Sequence, residues 1–71
     1  MAKCVASRGS GVYLLDVGNE MGVVVDVGRD QRYAPFNLQS ILARGYWTPM
    51  EDDPELTQRL LETPEAAVTT G

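Results

Sequence analysis

Seventy-one residues, 44% of them hydrophobic and 23% charged, make one small domain, because domains usually run to about 100–200 residues. A single core of this size supplies only ~3–5 kcal/mol, which excludes a second domain and argues against a deep, walled active site. The net charge of −4 comes from 6 basic and 10 acidic residues, and it hides two unlike parts: residues 1–47 are close to neutral, whereas Arg59 alone faces six carboxylates in residues 48–71.

One cysteine, Cys4, and no histidine rule out an internal disulfide and leave the usual zinc ligand set missing. The first residues lack the apolar stretch of about 7–15 residues of a signal peptide, and there is no apolar run of about 18 residues to span a membrane. The expectation is a cytoplasmic protein that needs neither metal nor cofactor.

The chain first passes through Val5 and its neighbours, a candidate strand, and then Gly9-Ser10-Gly11, which is no phosphate loop because no Gly-Lys-Ser/Thr follows. Two β-rich runs, Gly11 to Val17 and Met21 to Val27, flank Gly18-Asn19-Glu20 and predict a hairpin. A three-residue loop sets Val17 opposite Met21, Leu15 opposite Val23 and Tyr13 opposite Val25, which gathers one wholly apolar face. Leu14 to Glu20 and Val24 to Asp30 echo each other ten residues apart, the same strand-ending chemistry used twice, with a glycine opening each turn. Arg32-Tyr33-Ala34 is expected as a third short strand, ended by Pro35.

After Pro35 the period changes. Leu38, Ile41 and Leu42 stand at helical spacing, Asn37 is placed to cap, and Gly45 occupies the position of a left-handed C-terminal residue. Such a helix spans about two turns and cannot stand alone, so its stripe is expected on the hairpin's apolar face. Tyr46-Trp47-Thr48 reads as a final strand or an aromatic bridge. Asp53-Pro54 then starts an acidic helix that runs to about Glu62, held by Leu56, Leu60 and Leu61, with Glu55 and Arg59 one turn apart.

Among candidate chemical groups, Asp16 and Asp26 share a sheet face, but a solvated aspartate before a strand end is ordinary and no third ligand accompanies them. Cys4, Ser7, Ser10 and Ser40 lack a histidine to activate them. Glu51, Asp52, Asp53 and Glu55 complement a helix dipole and can also meet a basic partner. Arg29, Arg32 and Arg44, interleaved with Tyr33, Phe36, Tyr46 and Trp47, are the residue types of protein hot spots and of single-strand stacking surfaces. Of these, Trp47 and Phe36 are expected in the core, and Arg32 and Tyr33 exposed on an edge strand.

In its size, in the hairpin from Val12 to Val27 and in the acidic run Glu51-Asp52-Asp53-Pro54-Glu55, the chain resembles phage-encoded small regulators that bind host RNA polymerase. The resemblance rests on size and charge layout, and it implies a transcription component as partner and the host cytoplasm as location. The reading of the residues is an α+β fold: a small antiparallel β-meander of three to four strands with one short packing helix over residues 1–50, a weakly anchored acidic helical segment over 51–63 and a flexible tail over 64–71. The expected function is non-enzymatic, a regulator or inhibitor acting by protein-protein interaction through Arg29, Arg32, Tyr33, Glu51, Asp52, Asp53 and Glu55. Two other readings stand beside it: a nucleic-acid-binding module using Arg8, Arg29, Arg32 and Arg44, and an assembly subunit that adds a strand to a partner's sheet.

Overall fold

A computed structural model describes residues 2–33 and 35–65. The fold is α+β: strands β1 (Lys3–Arg8), β2 (Val12–Gly18), β3 (Met21–Asp26), β4 (Gln31–Arg32), β5 (Phe36–Asn37) and β6 (Thr48–Pro49), with helices α1 (Leu38–Arg44) and α2 (Pro54–Leu61). The strands form one sheet in the order β4-β3-β2-β1-β6, and β5 lies beside β3 on the same edge as β4. Every named pair is antiparallel.

The hairpin has the expected register through its body, with Leu15 opposite Val23 and Tyr13 opposite Val25. Its turn is built differently. Asn19 and Glu20 form a two-residue turn at φ 55° and 62°, the left-handed pair whose twist suits a hairpin, and Gly18 rather than Val17 pairs with Met21. A bulge between Asp16 and Gly18 absorbs the extra residue. One bulged residue restores the parity that a three-residue loop would have given, so the apolar set still gathers on one face. The Asp16 carboxylate accepts from Gly18 N at 2.9 Å, and that of Asp26 from Arg29 N at 3.2 Å. These turn-closing bonds explain the echo: each copy has as its third residue an aspartate that satisfies backbone just beyond it. In the second copy the left-handed residue is Asp30, at φ 54°, rather than Gly28.

A second bulge, at Val5, lets β1 serve both faces. Cys4 lies opposite Leu15 and Ala6 opposite Leu14, and both small side chains are buried. The core on the Leu15 face comprises Cys4, Leu15, Val23, Val25 and Leu60, with Tyr13, Val17, Met50 and Leu56 packed against it. The helix over this face is therefore α2, not α1. Leu60 is 2% exposed and Thr57 5%, and the Thr57 hydroxyl accepts from Cys4 N at 3.0 Å across 53 residues of sequence. The acidic helix is an anchored core element.

The short helix α1 packs on the opposite face, where Leu38 and Leu14 close over Gly22, and none of its residues is fully buried. Asn37 caps it as expected, accepting from Ser40 N at 3.0 Å. Gly45 does not play the expected left-handed role: its φ is −99°. It is glycine for room, since a β-carbon there would overlap the Trp47 indole.

Phe36 and Trp47 were both expected inside. Phe36 is exposed, at the sheet edge beyond Pro35, and Trp47 is half-buried. Conversely, Arg32 and Tyr33 are half-buried, because the chain returns along β4: Arg32 N donates to Pro64 O at 2.8 Å and Arg32 bridges Glu65 in parallel. Pro64 and Glu65, the start of the segment expected as a free tail, thus lie against the sheet. Ala34 and residues 66–71 are outside the described residues. No helix among the described residues is long and apolar enough to cross a membrane.

Candidate functional site

Asp53 opens α2 with an extended backbone and accepts from Leu56 N at 3.2 Å, and Pro54 occupies the first turn. This is a strong start signal, for the cap satisfies an orphan N–H and proline gives up none that was needed. Because Thr57 and Leu60 face the sheet, the residues between them face outward. Glu51, Asp52, Asp53 and Glu55 are all exposed. Glu55 stands on the first turn of α2, Asp53 is its cap, and Glu51 and Asp52 lie in the segment that leads into it, so all four sit at the start of a helix whose other side is fixed in the core.

Beside this segment runs an open groove of about 400 Å³, lined by Ala2, Asp52, Pro54, Thr57, Gln58, Leu61 and Glu62. Its wall carries Leu61, 39% exposed, and carboxylates stand on it at Asp52 and Glu62. A second, shallower groove of about 210 Å³ lies between Asp53, Glu55, Leu56 and Arg59. Glu55 and Arg59, expected as an ion pair, flank it without pairing. The ion pairs among the described residues are Arg29–Asp26 at 3.9 Å and Arg32–Glu65 at 3.6 Å.

The expected contact residues therefore separate into three places. Arg32 and Tyr33 line a different groove of about 250 Å³ with Val17, Val23, Pro35 and Glu65, which shares no residue with the groove along α2. There the Tyr33 hydroxyl donates to Gln31 Oε1 at 3.1 Å, and Arg32 Nε is buried without a partner among the described residues. Arg29 stands apart in the β3–β4 turn, its side chain 75% exposed and leaning on Asp26. With Asp26 and Glu65 beside them, Arg29 and Arg32 offer less net attraction to phosphate than their sequence positions suggest.

Asp16 and Asp26 do not converge. Asp16 lies opposite Gly22, Asp26 opposite Val12, and each carboxylate is used by its own turn. No group of three metal-ligating side chains occurs among the described residues. The Cys4 thiol is buried, its Sγ 3.3 Å from Met50 Sδ. Burial raises its pKa above the ordinary thiol value, opposed by a bond to the Ala6 carbonyl and reinforced by the charges of Asp53 and Asp52. A thiol so held is a poor nucleophile.

The sequence reading missed three contributors to the site, of which Glu62 was read only as the end of the helix. Leu61 was counted among the residues that hold α2, and Ala2 was not singled out; only the docking of α2 beside β1 brings them together. Comparison with protein families, with curated proteins and with solved structures finds no match for this chain.

Proposed function

We propose that this chain is a small, non-catalytic regulatory protein that docks on a larger protein through the acid-rimmed groove of α2 and modulates that partner's activity. The observation that carries the reading is the combination, along one groove, of exposed Leu61 at the end of the core-anchored helix α2 with Asp52 just before that helix and Glu62 at its C-cap. An apolar wall beneath two carboxylates is complementary to a basic protein segment that also offers an aliphatic or aromatic side chain, and it repels a phosphate backbone. The resemblance to phage regulators makes a transcription component, RNA polymerase above all, the partner class to try first. The strand-addition reading has less in its favour, because the outer edge of β1 already receives β6, Met50 N and Thr57.

The test is affinity capture from a bacterial lysate with the full chain as bait, with and without nuclease. The proposal expects a protein that is retained after nuclease and lost with a Leu61→Asp bait. Capture that disappears with nuclease, or that Leu61→Asp leaves unchanged, would remove this reading.

A further inference from the structure

The arginines and aromatics that are interleaved in sequence do not form one surface, but Arg44, Tyr46 and Trp47 follow one another at the end of α1, and Arg8 reaches Trp47 from β1. Arg8, at the end of β1, holds its guanidinium 5.5 Å from the centre of the Trp47 ring. The indole is fixed from two further directions: Nε1 donates to Ile41 O at 3.1 Å, and the ring lies directly over Gly45. Arg44 ends α1 just before it. Between them Tyr46 is 92% exposed, so its ring contributes almost nothing to the fold.

The charge of the elements around this patch is one-sided, opposite in sign to the acidic run Glu51-Asp52-Asp53 that leads into α2. Residues 1–15 and 31–50, which include β1, α1 and β6, hold Lys3, Arg8, Arg32 and Arg44 and not a single carboxylate. In the sheet register the nearest acid to Arg8 is Asp26, reached through Val12, about 10 Å away across two strand spacings. That acid is already engaged by Arg29.

We infer that Arg8, Arg44, Tyr46 and Trp47 form a binding surface for single-stranded nucleic acid, with a base stacked on Tyr46 and backbone phosphates held by the two arginines. A guanidinium lying on an indole keeps its N–H edge free and oriented for bidentate phosphate contact, and an open tyrosine ring accepts any base because every base has a π-face. An acidic peptide would satisfy the arginines equally well but would leave Tyr46 unused. The surface shares no residue with the groove along α2, so this activity stands or falls independently of protein docking.

Trp47 is the chain's one tryptophan and reports on its own site. Full-length protein is titrated with a deoxythymidine 12-mer while indole fluorescence is followed, with poly-glutamate as the base-free polyanion. The expected result is saturable quenching whose affinity falls about sevenfold between 50 and 200 mM salt, the slope for two phosphate contacts on a single strand. Tyr46→Ala, which leaves the thermal midpoint unchanged because the ring is exposed, weakens oligonucleotide binding at least about fivefold and leaves poly-glutamate binding as it was. Absence of saturable quenching, an affinity indifferent to Tyr46→Ala, or poly-glutamate binding as tight as the oligonucleotide's would overturn the inference. The last outcome would reassign the surface to acidic protein.

Discussion

Gly22 shows how a single residue decides which face of the sheet takes which helix. Its ideal β-carbon would come within 2.8 Å of Leu38 Cδ1 and 3.1 Å of Leu14 Cδ1, so α1 approaches there because there is no side chain. Gly22→Ala should destabilise by about 1–3 kcal/mol through overpacking, and by clearly less in a Leu38→Ala background, a coupling that urea unfolding of the four-member cycle measures. Equal losses in both backgrounds would mean that α1 does not rest on Gly22. Cys4 makes a second prediction at this scale. Its thiol pKa is raised in the folded state, so above the ordinary value of about 8.5 the unfolded chain releases a proton that the folded chain retains. Stability from this group is complete below that pH and declines as pH rises toward the folded pKa. The thermal midpoint should therefore fall in mildly alkaline buffer more steeply for the native chain than for Cys4→Ala, and a thiol reagent should react with Cys4 only at the rate of unfolding.

At the scale of elements, the two helices exchange the roles that their sequences suggest. Leu38, Ile41 and Leu42 make a more regular stripe than anything in α2, yet α1 has no fully buried residue and α2 supplies Leu60 to the core. The reason lies outside both helices. Thr57, polar and placed between leucines, turns inward because its hydroxyl completes the hydrogen bonding of β1 at Cys4, and no periodicity within α2 can reveal a partner 53 residues away. The hairpin body, the Asn37 and Asp53 caps and the places of the two turns were legible because their signals are local; the closing of those turns by Asp16 and Asp26, which the sequence reading gives to the glycines, was not. The bulges at Val5 and Val17, the return of Pro64 along β4 and the exposure of Phe36 were not, for each is settled by a neighbour distant in sequence. Leu60→Ala should cost about 2–5 kcal/mol by leaving a cavity, and Asp53→Ala about 1 kcal/mol by uncapping α2. Leu42→Ala, on the exposed side of α1, should cost under about 1 kcal/mol. Equilibrium unfolding that ranked Leu42→Ala above Leu60→Ala would contradict the assignment of α2 as the core helix.

Across the whole molecule, charge is divided between surfaces. Carboxylates flank α2 at both ends, Glu51, Asp52, Asp53 and Glu55 at its start and Glu62 at its C-cap, and the patch around Trp47 is built from elements with none. Part of this was visible as the acidic last third of the chain; the groove beside α2 was not, because it needs Ala2 and Leu61 brought together by the docking of that helix on β1. Removing residues 51–71 would take away Leu60 and Thr57 along with the charge, so the acidic surface has to be tested by substitution within the full chain. The direct measurement is a titration of the nuclease-resistant partner with native protein and with an Asp52→Asn/Glu62→Gln double variant, at low and moderate salt. Docking through the acid-rimmed groove predicts that the variant binds at least about tenfold more weakly at low salt and that the gap narrows as salt screens the charges. A variant that binds as tightly as the native chain, or more tightly, would contradict it.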